Sequence, residues 1–108
     1  MAGTTDGYVA VAALGELAPG QMKRLNFGGQ RILLANAAGR YYAVDELCSH
    51  EDYSLAFGCV KGTAIKCSLH GSHFSLETGA ALDPPATEPL RTYPVRIADG
   101  QVWVNPAG

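Results

Sequence analysis

Cys48-Ser49-His50 and Cys67-Ser68-Leu69-His70 are the two short stretches around which this chain is organised. Each stretch pairs one thiol with one imidazole, and the 16 residues 51–66 separate the two pairs. A cysteine and a histidine two or three residues apart can reach one metal only from a turn or from the end of a strand. The spacing therefore predicts two loops that face each other and present two thiolates and two imidazoles to one site.

Two kinds of metal site use this set of ligands. A single zinc ion can bind two cysteines and two histidines in a tetrahedron. A [2Fe–2S] cluster can bind both cysteines on one iron and both histidines on the other. Zinc fingers usually place a cysteine pair before a histidine pair, whereas each half is mixed here. The mixed order favours the cluster, and a structural Cys2His2 zinc module is the alternative.

Length and composition indicate one globular domain. The chain has 108 residues, of which 47% are hydrophobic and 17% are charged, and its formal net charge is -2. This weak charge provides no footprint for nucleic acid or for an anionic membrane. The first residues do not form a basic and then apolar signal segment, and no apolar run reaches membrane-spanning length. We therefore expect a cytoplasmic protein without membrane association.

Short strands and frequent turns dominate the rest of the sequence. The chain contains 13 Gly and 6 Pro, and Gly28-Gly29 and Asp99-Gly100 are typical of tight hairpin turns. No segment combines a helical period with caps. The predicted fold class is all-β, an antiparallel β-sandwich or barrel. The predicted strands are 8–12, 22–27, 31–36, 40–45, 58–60, 63–66, 72–76, 95–97 and 102–104.

Both ligand pairs lie in the middle of the chain, between two groups of predicted strands. We expect a single domain over residues 1–108. Its basal sheets would come from residues about 8–45 and 90–105. Residues about 46–89 would form a small subdomain that carries the metal ligands.

The ligand pattern C-S-H…C-S-L-H resembles the motif of Rieske iron–sulfur proteins, and the resemblance runs from about Tyr8 to Asn105. More narrowly, the chain resembles the small Rieske ferredoxins of bacterial systems that hydroxylate aromatic rings. Asp83-Pro84-Pro85 and the closing stretch 93–104 add to the resemblance. The fold that it implies is a basal sheet domain with a small cluster-binding subdomain at one tip.

The resemblance also implies a role for each ligand. Cys48 and Cys67 would bind the inner iron of one [2Fe–2S] cluster, and His50 and His70 would bind the outer, more exposed iron. Three further residues would surround the cluster without binding iron: Ser72, Pro84 and Pro85.

With all four ligands bound, neither iron keeps a position for substrate, so the chain is expected to be an electron carrier and not an enzyme. The resemblance implies that it takes one electron from an NADH-dependent flavin reductase and passes it to a terminal Rieske oxygenase. That oxygenase would be a dioxygenase of aromatic hydrocarbon catabolism. We expect a monomer that forms transient complexes. The alternative function is a Rieske-like small subunit of an assimilatory nitrite reductase.

Several residues outside the ligand set also lead to predictions. Cys59 is left over and is predicted to be a small buried residue in a strand. His73 follows His70 by three residues, but we predict that it lies in a strand and binds no metal. Tyr93 and Trp103 are predicted to be core residues, since large aromatic side chains dominate small β cores.

Asp45, Glu46, Glu51 and Asp52 are four acids within a stretch that contains no lysine or arginine. They are predicted to form either a solvated turn or a docking patch for a basic partner surface.

Gly71-Ser72-His73-Phe74, after His70, bears on the reduction potential. In high-potential respiratory relatives the equivalent stretch resembles G-S-x-Y, in which both hydroxyls donate hydrogen bonds to cluster sulfurs. This chain keeps the serine and replaces the tyrosine with Phe74. The resemblance therefore implies a low-potential centre, toward the end of the Rieske range at about −150 mV. Ser72 would either donate to the cluster or only cap its turn.

Overall fold

Strands make up nearly all of the regular structure. The computed structural model describes residues 4–5, 7–48, 53–68, 71–84 and 86–108. The strands are β1 (Thr4–Thr5), β2 (Tyr8–Ala13), β3 (Met22–Phe27), β4 (Gln30–Ala37), β5 (Arg40–Asp45), β6 (Cys59–Lys61), β7 (Ala64–Lys66), β8 (His73–Ser75), β9 (Thr92–Tyr93), β10 (Val95–Ala98) and β11 (Gln101–Val104). A 3₁₀ helix spans Leu55–Phe57. No helix in these residues is long and apolar enough to cross a membrane. The all-β prediction is confirmed.

The strands form three antiparallel sheets. The outer sheet has the order β1-β2-β11-β10, and the middle sheet has the order β3-β4-β5-β9. The small sheet has the order β6-β7-β8, and its strands all come from within residues 46–89. We propose that residues 46–89 form the predicted cluster-binding subdomain.

Strand β4 explains why three sheets pack together. Its residues from Ile32 to Ala37 are all buried, which requires cover on both faces of the middle sheet. Successive side chains on a strand point to opposite faces. Ile32 and Leu34 therefore pack toward the outer sheet, while Leu33 and Ala35 pack toward the small sheet. The middle sheet is thus the central layer of the molecule.

Each face of the middle sheet has its own hydrophobic core. The core shared with the outer sheet contains Ala12, Leu17, Leu25, Ile32, Leu34, Ala43, Tyr93, Val102 and Val104. The core shared with the small sheet contains Leu33, Ala35, Ala37, Val44, Cys48, Leu55, Ile65, Cys67, Phe74, Leu76, Ala86 and Leu90. Two of the predicted metal ligands therefore lie in the second core.

The β3–β4 hairpin follows the predicted turn chemistry. Phe27 pairs with Gln30, so Gly28 and Gly29 form a two-residue loop. Their φ angles are 64° and 99°, which side chains with a Cβ rarely adopt. The predicted hairpin turn at Gly28-Gly29 is confirmed.

Two predictions about buried side chains are wrong, and strand alternation explains both. Cys59 lies in a strand, as predicted, but it is exposed because Val60 is the β6 residue that packs against the core. Trp103 is only partly buried, because Val102 and Val104 take the inward positions of β11. Its indole Nε1 donates to the carbonyl oxygen of Ala98 at 3.0 Å. Tyr93 is buried, as predicted.

Candidate metal centre

Cys48 and Cys67 lie in the same buried core, although 18 residues of sequence separate them. Their exposed fractions are 3% and 2%. Cys48 follows β5 after two residues, and Cys67 follows β7 directly. All three cysteines of the chain are described, and each carries a thiol and not a disulfide. The structure thus brings the two predicted thiolate ligands to one buried region.

Backbone hydrogen bonds close the base of the first ligand loop. Leu47 pairs with Ser54 in an isolated antiparallel bridge, and the Cys48 amide donates to the carbonyl oxygen of Tyr53 at 2.9 Å. The Leu55 amide donates to the carbonyl oxygen of Glu46 at 2.8 Å. Residues 49–52, and with them His50, lie outside the described residues.

The second ligand loop has a similar base. The Cys67 amide donates to the carbonyl oxygen of Ser72 at 2.8 Å, and the Gly71 amide donates to the carbonyl oxygen of Cys67 at 2.9 Å. The pairing of Lys66 with His73 on β7 and β8 continues this ladder. His70 lies outside the described residues, so the places of both imidazoles remain predictions.

The bases of the two loops lie against each other. Gly58 ends the 3₁₀ helix after the first loop, and its Cα lies close to β7. A Cβ built on Gly58 would stand 1.7 Å from the carbonyl oxygen of Lys66, far inside any real contact. Only glycine therefore permits this approach, which packs the first loop against the strand that leads to Cys67.

Ser72 and Ala86 lie close together beside the core that contains both thiols. Ala86 is buried in that core, and its amide donates to Ser72 Oγ at 3.1 Å. Ser72 is itself buried, and its bond to a residue 14 positions away contradicts the idea that it only caps its own turn. A serine hydroxyl accepts and donates at once, so its proton stays available for another acceptor. Pro84 is described, while Pro85 lies outside the described residues.

His73 contacts the carboxylate of Asp83 through both its backbone amide and its ring. Its Nδ1 lies 2.8 Å from Asp83 Oδ2, and its amide donates to Asp83 Oδ1 at 2.6 Å. These two bonds, first the one from the amide and then the one from the ring, hold the pKa of Asp83 below its usual range. This contact engages Nδ1 and leaves Nε2 unassigned, so the absence of metal binding by His73 stays a prediction.

Glu46 is a residue that the sequence analysis placed in the wrong environment. It was grouped with the solvated or docking acids, but its exposed fraction is 2%. Arg31 approaches Oε1 at 3.2 Å and Oε2 at 3.0 Å, and Ser54 Oγ donates to Oε2 at 2.6 Å. Arg24 Nε lies 3.3 Å from Oε2. The carboxylate thus ties two strands of the middle sheet to the base of the first ligand loop.

Burial raises the pKa of Glu46, but the hydrogen bonds from Arg31 and Ser54 and the positive charges of Arg31 and Arg24 outweigh it. The net result is a pKa below the ordinary value of 4.5. The carboxylate is therefore charged at neutral pH and stabilises the loop in that state.

Asp45 is also used inside the fold. Its Oδ1 accepts from the hydroxyl of Tyr93 at 2.6 Å, and its Oδ2 accepts from the Arg91 amide at 3.0 Å. Burial, followed by the nearby Asp45, raises the pKa of Tyr93, which keeps this hydroxyl a donor. The prediction of a solvated turn or a docking patch is therefore wrong for the buried Glu46, while Asp45 ends β5 with both carboxylate oxygens bonded inside the fold. Glu51 and Asp52 lie outside the described residues.

The donor set fits a soft metal centre. Thiolates are the preferred ligands of zinc and of iron–sulfur clusters, and here two thiols are buried in one core. The base of each loop is fixed by backbone hydrogen bonds, as a preorganised site requires. The described residues do not complete a four-ligand set by themselves, since both predicted histidine ligands fall outside them.

Comparisons with known proteins identify the kind of centre. A family model described as "Rieske [2Fe-2S] domain" matches residues 7–94. The ferredoxin component of biphenyl 2,3-dioxygenase from Rhodococcus jostii (strain RHA1) is 37% identical over 98 residues, which cover 91% of this chain and 92% of that relative.

Solved structures agree with this match. The ferredoxin of carbazole 1,9a-dioxygenase from Nocardioides aromaticivorans IC177 has a TM-score of 0.88 at 30% identity, covering 94% of this chain and 99% of that chain. A chain in a complex of reduced oxygenase and oxidized ferredoxin in carbazole 1,9a-dioxygenase has a TM-score of 0.89 at 29% identity, covering 94% and 95%. The motif, the buried thiols and these matches together show that this chain belongs to the Rieske [2Fe–2S] domain family, which implies a [2Fe–2S] cluster and not zinc.

Proposed function

We propose that this chain is the electron carrier of an aromatic-ring dioxygenase system. It would accept one electron from a flavin-dependent ferredoxin reductase and deliver it to a terminal Rieske oxygenase. The observation that carries the proposal is the pair of buried thiols, Cys48 and Cys67, on two closed loop bases in a Rieske fold. Relatives with this fold are ferredoxins of biphenyl and carbazole dioxygenases.

We assign Cys48 and Cys67 as ligands of the inner iron, and His50 and His70 as ligands of the outer iron. When bound, the cluster supplies a one-electron redox centre whose histidine ligands raise its potential above that of an all-cysteine cluster. The burial of both cysteines agrees with the inner position, since the surrounding side chains exclude water from the thiolates. Because water is excluded and the loop bases are fixed, the reorganisation energy of electron transfer would be small.

The surface beside the two loops supports a transient docking role. Phe57 is 60% exposed. Its ring centroid lies 4.8 Å from Cζ of Arg24 and 5.6 Å from the ring centroid of Tyr53. A shallow cavity of about 290 Å³ connects Phe57 with Ser68, in the second ligand loop. Leu82, whose amide donates to the carbonyl oxygen of His73 on β8, is 55% exposed. We expect a weak interface here, below about 1,200 Å² of buried area, as a carrier that must dissociate requires.

The partner assignment rests on one known complex and on the logic of a carrier. The carbazole 1,9a-dioxygenase neighbour occurs in a complex between ferredoxin and oxygenase. A carrier must leave that partner to be reduced again, so we infer transient complexes, with a flavin-dependent reductase as the electron donor. We also propose that the chain is a monomer in solution. The three thiols suit a reducing cytoplasm. The aromatic substrate would be decided by the oxygenase.

Rapid mixing tests this proposal. The chemically reduced protein is mixed anaerobically with an oxidised terminal Rieske oxygenase, and the reoxidation of the carrier is followed by visible absorbance. We expect one electron to leave per chain, at a rate that falls with added salt. Size-exclusion chromatography of the mixture should show separate components. A stable stoichiometric complex with the large subunit of a nitrite reductase, tested in the same way, would instead favour the nitrite reductase alternative.

A further inference from the structure

Phe57 is an exposed aromatic side chain that the fold holds in a fixed position. The Arg24 guanidinium lies over its ring, and the ring of Tyr53 lies beside it at an interplanar angle of 51°. The residue also ends the 3₁₀ helix, where its amide donates to the carbonyl oxygen of Ser54 at 3.3 Å. The large exposed fraction of Phe57 is therefore not the result of a loose surface segment.

Both ends of this helical turn are connected to the buried carboxylate of Glu46. Ser54 Oγ donates to Glu46 Oε2 and accepts from the Ala56 amide at 3.1 Å. Arg24 Nε lies 3.3 Å from the same Oε2, while its Cζ lies over the Phe57 ring. The ring and the guanidinium thus have little freedom left to lose when a partner covers them, which favours binding.

The surface around Phe57 carries an excess of positive charge, although the whole chain has a net charge of -2. Arg24 and Arg31 share the one carboxylate of Glu46. Two lysines project from the solvent face of the small sheet, because the residue between Cys59 and Lys61 is the one that packs inward. The charged residues described on this surface are Arg24, Arg31, Lys61, Lys66, Glu46 and Asp83. Four cations therefore face two acids; Glu51 and Asp52 lie outside the described residues.

This surface adjoins the second ligand loop. One cavity is lined by Phe57, Lys66 and Ser68, and Ser68 directly follows the predicted ligand Cys67. A partner that covers Phe57 is therefore brought against the loop that carries a ligand, as electron transfer between two proteins requires.

We propose that Phe57, held by Arg24, is the anchor of the interface with the terminal oxygenase, and that the oxygenase surface combines an apolar pocket with carboxylates at its rim. Aromatic and arginine side chains dominate the energetics of interfaces when they fill a desolvated pocket. The positive excess around the ring selects a rim of opposite charge. This inference rests on the proposed function as an electron carrier.

Substitutions at the two residues separate the ring from the charge. Phe57→Ala removes the anchor, and Phe57→Leu keeps an apolar side chain without a ring. Arg24→Gln removes the charge, and Arg24→Lys keeps it without the planar group. Leu14→Ala is the matched control for the ring, because Leu14 is 51% exposed and its amide donates to Gly100 in the outer sheet. Arg40→Gln is the control for the charge, since Arg40 is exposed at the end of β5 that lies away from the ligand loops.

The assay is rapid mixing of each reduced, cluster-loaded variant with increasing concentrations of an oxidised oxygenase. The oxygenases are those of biphenyl 2,3-dioxygenase and carbazole 1,9a-dioxygenase, whose ferredoxins resemble this chain. We expect Phe57→Ala to raise the half-saturating concentration about 30-fold, which corresponds to about 2 kcal/mol for an anchor residue. The limiting rate, the visible spectrum and the reduction potential should stay as in the wild type, and Phe57→Leu should cause a smaller rise.

The salt dependence tests the charge of the partner. Arg24→Gln should raise the half-saturating concentration and flatten its dependence on salt, whereas Arg24→Lys should keep that dependence. A lower half-saturating concentration for Arg24→Gln would overturn the acidic rim.

Three results would overturn the anchor. The first is an equal effect of Phe57→Ala and Leu14→Ala. The second is a loss seen only when the flavin reductase reduces the variants, which would make the reductase the partner at this surface. The third is a changed spectrum or potential of Phe57→Ala that accounts for its slower transfer. Failure of the wild type to reduce either oxygenase would overturn the proposed function together with the anchor, whereas normal transfer by Phe57→Ala would overturn the anchor alone.

Discussion

Replacing Glu46 with glutamine should weaken the whole fold, because this buried carboxylate connects β3, β4 and the first ligand loop. Glu46→Gln keeps the size of the side chain, removes its charge and replaces one acceptor oxygen with a donor. A hydrogen bond to a charged group contributes about 1.5–3 kcal/mol. Removing one partner of a fully buried ion pair costs about 3–5 kcal/mol.

The exposure of the two arginines places the expected loss at the lower end of these values. The side chains of Arg24 and Arg31 are 51% and 46% exposed, so water can solvate them again after the carboxylate is gone. The buried Ser54 hydroxyl, which donates to Glu46 Oε2, has no access to water that could replace this bond. We therefore expect a loss of about 2–3 kcal/mol, which lowers the unfolding midpoint by roughly 8–20 °C for a domain of this size.

The assay is thermal unfolding of the cluster-loaded protein, followed by far-ultraviolet circular dichroism and by visible absorbance in the same sample. Glu16→Gln is the matched control, because Glu16 pairs with Lys23 at 2.8 Å on the surface and not in the core. Exposed pairs contribute little to stability. Equal midpoints for Glu46→Gln and Glu16→Gln would refute the assigned role of Glu46.

The pH dependence gives an independent check on the same network. The folded-state pKa of Glu46 lies below its ordinary value of 4.5, so the stabilisation is present above that pH and is lost as pH falls through the lowered pKa. The difference in midpoint between the wild type and Glu46→Gln should be full at pH 7 and should shrink below about pH 4.5. A difference that stays constant into acid would mean that the charge of Glu46 is not what stabilises the loop.

Three further predictions concern the centre and its partners. Alanine at any one of the four assigned ligands should abolish the native visible spectrum; these are Cys48, His50, Cys67 and His70. Alanine at Cys59 or His73 should leave that spectrum unchanged. Ser72→Ala should lower the reduction potential by up to roughly 60–130 mV, because a hydrogen bond to a charged group contributes about 1.5–3 kcal/mol and about 59 mV corresponds to about 1.4 kcal/mol for one electron. Equal potentials of wild type and variant in protein-film voltammetry would mean that the Ser72 hydroxyl does not donate to the cluster and serves only its bond to Ala86. Neutralising Glu51 and Asp52 together should reduce the salt dependence of electron transfer to the oxygenase, and an unchanged dependence in rapid mixing would exclude these acids from docking.

Local chemistry was enough to predict the fold class. Side-chain alternation and turn residues such as Gly28-Gly29 are read directly from sequence, because they depend on neighbours within a few positions. The strand pair β6–β7 was predicted for the same reason. Which face of a strand is buried depends on what packs against it, so the predictions for Cys59 and Trp103 were wrong although both lie in strands.

The ligand motif predicted where the centre lies, but not what supports it. Arg24, Arg31 and Ser54 meet at Glu46 only because β3, β4 and the first loop come together in three dimensions. The carboxylate therefore looked like one of several surface acids in the sequence. His73 and Asp83 are ten residues apart, and their contact depends on the path of the turn between them. No local pattern predicts such a contact. In the sequence, Asp83 is visible only as the residue before Pro84.

The most direct test of the central claim is the composition and spectrum of the purified protein made with adequate iron. We predict about two irons and two acid-labile sulfides per chain, and a rhombic electron paramagnetic resonance signal of a histidine-ligated [2Fe–2S] centre after one-electron reduction. Stoichiometric zinc without labile sulfide, or a reduced signal typical of four cysteine ligands, would contradict the account.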